Sequence, residues 1–405
     1  MFNEPPVFPG RIDPGERFRD RRRRSRRRRR IRQLATVAVL CGGIVALALN
    51  ARFISPGDDE HPGPESSRAT PTAPSTSKGA AAPQPRSLPA EIRGVHVTMA
   101  LASVPGKLDE YLALRSDGLN TIELDVKDEN GAVGFVSPAV PLAQKVGAAQ
   151  RYYNAREVAQ EVHDAGLYLV GRVVVFEDPK LAEARPGMAI RTRAGSVWRN
   201  DSGLGWTNPY DEGVWAYNVD IAVAAAKAGF DEIMFDYVRF PSDGNVANAV
   251  FPGKRAEAKY ETIARFVEYA SKRLKPLGVR VSAAVFGLSA TRDLGIGQRP
   301  RLLAKHLDAI YPMVYPSHYG SGEYNIADPS AEPGRTVSFS LLDFRRKLEG
   351  RRTRIVPWLQ DFSLGRHYAL EDVEQQIRAA RRARTGGFML WNAGGVYTIS
   401  ALAGG

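Results

Sequence analysis

The sequence predicts a (β/α)8 TIM barrel of the α/β class, preceded by a transmembrane helix and a disordered linker. Three observations carry that expectation. Eight short runs rich in Val and Ile recur between residues 91 and 400. Helical patterns, several stopped by Gly, lie between most of them. No Gly-rich dinucleotide fingerprint follows the first run, and a count of eight favours a closed barrel over an open doubly wound sheet.

Ahead of the barrel the chain changes character twice. Residues 1–32 hold thirteen arginines against Glu4, Asp13, Glu16 and Asp20, so this tail carries +9 of the chain's net +12. The run Arg21–Arg30 alone would suit a nucleic-acid arm. The uncharged run Leu34–Leu49 follows it, however, and arginines ahead of an apolar helix are the positive-inside signal. Residues 1–32 are therefore expected in the cytoplasm and 33–54 as a transmembrane signal anchor. Everything after them is expected outside, in a single-pass cell membrane protein with no nucleic-acid partner. A signal peptide cleaved at the small residues Ala46–Ala48 is the rival reading. Cys41, the only cysteine, lies within the apolar run, so the exported part has neither disulfides nor a thiolate metal site. Residues 55–90, dominated by Pro, Ser, Thr, Ala and Gly, read as a disordered linker. The barrel is expected over 91–400.

Strands are expected at 92–98, 121–127, 168–176, 231–240, 279–286, 308–315, 353–361 and 387–392. Helices are expected at 107–118, 155–166, 211–229, 256–275, 336–349 and 370–385, with a weaker one near 298–306. One face of each strand must be apolar to meet the helices, and the other faces the lumen. In "TIELDVK", Ile122, Leu124 and Val126 meet the helices, which turns Glu123, Asp125 and Lys127 inward. In "DEIMFDYVRF", Ile233 and Phe235 send Met234 and Asp236 inward. In "YLVGRVVVFED", an inward Arg172 brings Asp178 inward if extended geometry persists; otherwise its neighbour Glu177 takes over. Gly94, His96 and Thr98 share a face, as do Tyr311, Met313 and Tyr315. Trp358 and Gln360 share another, and Asn392 lies opposite Trp391. Polar and aromatic strand ends thus converge on one mouth, where a barrel enzyme keeps its site.

The chemistry offered there is that of carboxylates and aromatic rings. Six histidines show no HxH or HExxH spacing, and no GxSxG is present. Neither a metal nor a cofactor is expected, and no nucleophile elbow. Glu123 and Lys127 also suit a structural ion pair within the lumen. Tyr315, Trp358 and Trp391 suit stacking on sugar rings, and His318 suits a substrate contact.

The stretches "LDVKDENGAVGF", "DEIMFDYVRFP", "FGLSATRDLGIGQ", "YPMVYPSHYG" and "VPWLQDF" together resemble a bacterial family of glycoside-hydrolase-like TIM barrels that began as a domain of unknown function. The match runs in order through the whole exported domain. The resemblance puts weight on Asp125 and Lys127, on Arg172 and Asp178, and on Asp236, Tyr237 and Arg239. It also supports His318, Trp358 and Gln360. It implies an acidic residue in the fifth strand, where this sequence has Ala284.

The resulting expectation is a membrane-tethered, exported glycoside hydrolase acting on a polysaccharide or cell-wall glycan through paired carboxylates. Asp236 is expected as the nucleophile, kept ionised by Arg239. Asp125 is expected as the acid, with Asp178 next. The remaining named side chains, Asn392 among them, are expected to hold substrate. The alternative is a catalytically inactive carbohydrate-binding barrel. One carboxylate locked to Arg239 would favour that binder, and a carboxylate pair would favour the enzyme.

Overall fold

The computed structural model describes residues 86–403. The arginine-rich tail, the expected anchor and most of the expected linker lie outside the described residues. Among the described residues no helix is long and apolar enough to cross a membrane.

Eight parallel strands close into a barrel. They are β1 (Ile92–Val97), β2 (Thr121–Lys127), β3 (Tyr168–Val174), β4 (Glu232–Asp236), β5 (Arg280–Phe286), β6 (Ala309–Met313), β7 and β8 (Gly387–Trp391). Strand β7 comes in two pieces, Arg354–Ile355 and Trp358–Gln360, because Pro357 between them has no N–H to give a ladder. Two pairings seal the barrel: Met313 of β6 lies beside Trp358 of β7, and Ile92 of β1 beside Gly387 of β8.

Helices follow the strands on the outside: α1 (Lys107–Ala113), α2 (Ala155–Asp164), α3 (Glu212–Ala228), α4 (Lys259–Leu274), the single turn α5 (Pro300–Leu303), α6 (Pro333–Lys347), α7 (Leu370–Arg382) and the short α8 (Ser400–Ala403). Their ends are written in the sequence. Asn154 accepts from the backbone N–H groups of Arg156 and Glu157 to start α2, and Asp211 accepts from Gly213 to start α3. Gly229 ends α3 at φ 119°, a conformation that costs a side-chain-bearing residue dearly.

The outward faces of the strands make the main core. Ile233 and Phe235 of β4 are fully buried there, Phe235 edge-on to Phe266 of α4 at 5.3 Å. Burying one such ring contributes roughly 1.5–3 kcal/mol. A second, smaller core fills the lumen with Tyr168, Met234, Tyr311, Trp358 and Met389. Glu232 lies in that lower lumen and accepts from Tyr168 Oη at 3.1 Å and from the Ser282 hydroxyl. Burial holds its carboxyl above the ordinary range.

The fold starts before residue 91. Arg86 donates to the carbonyl of His163 at 2.7 Å, and Arg354 donates to the carbonyls of Pro89 and Ala90 at 3.1 and 2.8 Å. Leu88 packs against the lumen core. The last five residues of the expected linker thus form a strap across the floor of the barrel, at the N-terminal ends of the strands.

Candidate active site

The C-terminal strand ends carry a cluster of acids around one guanidinium. Arg172 of β3 donates from Nε and Nη2 to Asp236 Oδ2 at 3.0 and 2.8 Å. Its Nη1 donates to Asp125 Oδ1 at 2.7 Å and, more distantly, to Glu129 Oε2 at 3.5 Å. Parity explains the convergence: Asp125 and Arg172 are direct partners across β2 and β3, and Asp236 ends the next strand. These negative charges raise the Arg172 pKa well above its ordinary value against the opposing effect of burial. Asp236 Oδ1 also accepts from the backbone N–H of Tyr237 at 2.7 Å.

Arg239 does not pair with Asp236. Tyr237 adopts φ 49°, which ends the strand and turns the chain. The Arg239 guanidinium then lies 4.8–4.9 Å from the ring centroids of Trp206, Tyr237 and Phe286. It donates to the Phe240 carbonyl and to Ser242 Oγ. Burial holds its pKa below the ordinary value. It supports the mouth as an aromatic-boxed cation, and Arg172 takes the role expected of it.

Asp178 and Lys127 leave the site together. The β2–β3 register shifts between Asp125 and Lys127, so Lys127 stands opposite Val173, an outward-facing residue. Such a bulge reverses the side of the sheet a residue occupies. Lys127 Nζ reaches Asp178 Oδ2 at 2.8 Å, Asn218 Oδ1 on α3 at 3.0 Å and the Val174 carbonyl at 2.7 Å. Both charged side chains are sealed from solvent. Asp178 also accepts from Leu181 N–H to cap the helix Pro179–Ala184. Neither group can touch a substrate.

Glu177 takes the place that Asp178 vacates. Strand β3 stops at Val174, and Glu177 pairs across to Trp206 in the long connection leading to α3. Asn200 Nδ2 donates to its Oε2 at 2.8 Å. Burial pushes its carboxyl up to about 7, with Arg239 acting the other way and the charges of Asp243, Glu129 and Asp236 adding to the rise. The mouth therefore holds an Arg172-bound carboxylate pair and a carboxyl that keeps its proton near neutrality.

Beneath them His96 of β1 bridges two acids. Nδ1 lies 3.1 Å from Glu123 Oε1, and Nε2 lies 3.6 Å from Asp125 Oδ2. Burial pushes the imidazolium pKa down, but Glu123 and Asp125 outweigh it and leave it raised. These three are the group among the described residues whose ligand atoms converge closely enough to hold a metal ion. The ring turns a different nitrogen to each carboxylate, and neither nitrogen nor either Glu123 oxygen has a hydrogen-bond partner among the described residues. The trio is thus a buried cluster of charges, of which one ring nitrogen and the two carboxylates could serve a single ion.

The aromatic residues divide. Trp358 and Trp391 stack at 4.8 Å and 11°, with His96 4.2 Å from Trp391. Trp358 is only 1% exposed, so it supports Trp391, whose ring is the partly open one. Tyr315 is buried edge-on to His318 and Phe362 at 5.3 and 5.6 Å, and His318 is exposed at the rim. Tyr237 is half-buried beside Trp206. Two amides expected to hold substrate brace loops instead. Gln360 accepts from Ser317 N–H and donates to the Phe362 carbonyl, and Asn392 donates to the Asp361 carbonyl. Asp361 itself accepts from the backbone and hydroxyl of Thr398. Ala284 lies fully buried in the lumen, on the strand beside Asp236 and one residue beyond the last paired level.

Sequence reading missed Glu129. Its signal is "DVKDENG": Asp128 accepts from the N–H groups of Asn130 and Ala132, a turn that holds Glu129 over the mouth.

An eight-stranded parallel barrel with acids at the C-terminal ends of its strands is the TIM-barrel architecture. Residues 94–397 match the family described as "Putative glycosyl hydrolase domain", and the chain belongs to that family. No curated protein matches the sequence. Among solved structures, a hypothetical protein from Ruminiclostridium thermocellum is 35% identical, covering 47% of this chain and 96% of its own, with a TM-score of 0.43. The glycoside hydrolase domain of PgaB (BpsB) from Bordetella bronchiseptica is 15% identical over 75% of this chain and 94% of its own, with a TM-score of 0.52. That second likeness concerns the fold alone.

Proposed function

We propose that this protein is an exported, membrane-tethered glycoside hydrolase that cleaves a polysaccharide or cell-wall glycan between two carboxyl groups. Glu177 is the proton donor to the leaving oxygen, replacing Asp125 and Asp178 in that role. Asp236 is the nucleophile or base on the other side of the bond. The observation that carries the reading is the divergence of two neighbouring carboxyls. Glu177 is raised to about 7 by burial, whereas Asp236 accepts two hydrogen bonds from Arg172. A carboxyl that burial keeps protonated can serve as the acid, while the one that accepts from a guanidinium faces the bond from the other side. Trp391, beside the acids, offers a face to a sugar ring.

Asp125 belongs to the positioning of Arg172, with His96 behind it. A non-catalytic binding barrel would use the same aromatics, and the absent acid at Ala284 is the feature that favours it. Asp236→Asn separates the two readings. The variant removes a charge but leaves Arg172 its contact with Asp125, so it should fold at a cost of about 1–3 kcal/mol. A panel of polysaccharides assayed for new reducing ends should show a loss of about 10³-fold or more with glycan binding retained. No reducing ends from the parent protein on any glycan that it binds would establish the binder. The tether rests on the arginine block before the apolar run, and mass spectrometry of the mature N-terminus checks it. A start near Leu49 would mean a cleaved signal peptide.

A further inference from the structure

The face opposite the catalytic mouth carries an open groove of about 930 Å³. It lies on the barrel floor, between the α6–β7 and α7–β8 connections, and Ala90 of the N-terminal strap forms part of its wall. Its lining is strongly basic. Arg345, Arg346, Arg351, Arg352, Arg354 and Arg384 contribute to it, with Glu349 as the acid.

These arginines fall into two sets. Arg345 is fixed on the Ala383 carbonyl, Arg346 on Asp343, and Arg354 on the strap. Arg351, Arg352 and Arg384 are exposed, and their guanidinium groups have no hydrogen-bond or ion-pair partner among the described residues. Arg384 stands at φ 50°, just past the C-cap of α7, where glycine is the unstrained choice. The chain thus accepts a strained backbone at the position that aims an unpaired cation into the groove.

We propose that this groove docks the barrel floor onto an anionic phospholipid surface through the phosphate headgroups. The argument is one of charge and of place. Unpaired guanidinium groups match phosphate oxygens by bidentate hydrogen bonding. The strap Arg86–Ala90 runs across the same floor, so the chain enters the barrel on the groove side. With the anchor of the proposed function in place, the docking surface is the one on the tether side. Juxtamembrane basic clusters are attracted to anionic lipid within about one Debye length, roughly 8 Å at physiological salt. The consequence is orientation: a floor held to lipid turns the mouth toward glycan further out.

This inference rests on the tether reading, and the test keeps the two apart. The full-length chain is placed in nanodiscs of phosphatidylcholine alone or mixed with phosphatidylglycerol, and hydrogen exchange is followed at 345–354 and 381–386. The anionic discs should slow exchange there by about fivefold or more relative to the neutral ones. High salt should abolish the difference, and so should Arg351→Ser/Arg352→Ser/Arg384→Gly. Those residues are exposed, and glycine suits the backbone at 384, so the triple variant should melt like the parent. Equal exchange in both discs would overturn the proposal. So would slowing by soluble polyphosphate with none by lipid, which would make the groove a soluble-anion site. If neither disc retains the chain, the anchor reading fails by itself. Sedimentation with phosphatidylglycerol vesicles then decides the groove: salt-sensitive binding lost in the triple variant supports it, and binding absent or unchanged in that variant overturns it.

Discussion

Glu177 and Asp236 show how two like groups in one mouth come to differ. Asp236 is surrounded by donors, from Arg172 and from the Tyr237 backbone. Glu177 has one neutral donor, Asn200, and is otherwise dominated by burial. A proton donor is needed in its protonated form, so glycosidase activity should fall as pH rises through about 7. Glu177→Gln should remove that limb from the pH–rate profile and lower kcat by about 10²–10⁴. Glycosides with a good leaving group should suffer less, because they need little protonation. Stability follows the same proton. A folded-state value of about 7 against an ordinary 4.5 means that the neutral carboxyl favours the fold. That contribution is present below pH 4.5 and is lost as pH rises through about 7, on the order of 3 kcal/mol. Thermal melts of parent and Glu177→Gln across that range check the sign. A parent whose Tm rises relative to the variant between pH 5 and 7 would contradict it.

At the scale of strands, the sequence was readable where the period of two holds and misleading where it breaks. Ile122, Leu124, Ile233 and Phe235 are apolar and alternate cleanly, so Asp125, Arg172 and Asp236 were placed correctly from parity. Two local breaks undid the expected places of Lys127 and Arg239, and a third took the alternative that the sequence left open, Glu177 in place of Asp178. The β2 bulge turned Lys127 outward, the early end of β3 exchanged Asp178 for Glu177, and the φ 49° of Tyr237 carried Arg239 away from Asp236. Nothing in the local residue pattern marks these breaks. Tertiary partners set them: Asn218 on α3 for the ammonium, and Trp206 with Phe286 for the guanidinium. Helix ends were legible through their glycines: Gly118, Gly166 and Gly229 all take positive φ where the stops were expected. The single turn of α5 was expected to be longer, but an Arg299–Pro300 entry and an Ala304 exit leave it short. The sealed Lys127–Asp178 pair gives a test at this scale. Asp178→Ala strands a buried ammonium and uncaps the helix Pro179–Ala184, which should cost about 3–5 kcal/mol in chemical denaturation. Asp178→Asn keeps an acceptor for both and should lose less. An Asp178→Ala variant as stable as the parent would mean that the pair is not what holds this corner.

For the whole molecule, the boundary between linker and barrel decides how the barrel is held. Composition alone placed the linker at 55–90, since Pro, Ser and Thr give no apolar period. Contacts carry the barrel's fold at least as far back as Arg86, the first of the described residues. Three backbone carbonyls and two guanidinium groups join the strap to α2 and β7, and Leu88 closes the lumen from below beside Ile92 and Tyr168. None of these contacts is large: Leu88 is half-buried, and the hydrogen bonds are partly open to water. Together they should contribute roughly 1–3 kcal/mol. A fragment starting at Arg86 should therefore melt a few degrees above one starting at Glu91, on the order of 2–4 °C per kcal/mol for a domain of this size or somewhat smaller. The same contacts make the strap resist proteases. Limited digestion of the full chain should cut within the Pro/Ser/Thr-rich stretch upstream and leave a core whose N-terminus lies at or before Arg86. A stable core beginning after Glu91, or two fragments of equal melting temperature, would show that the strap only rests on the floor without bracing it. Arg354 distinguishes these cases further. It donates to Gly386 as well as to the strap, so Arg354→Ala should destabilise the 86-start fragment more than the 91-start one. An equal loss in both would assign Arg354 to the β7–β8 seam alone.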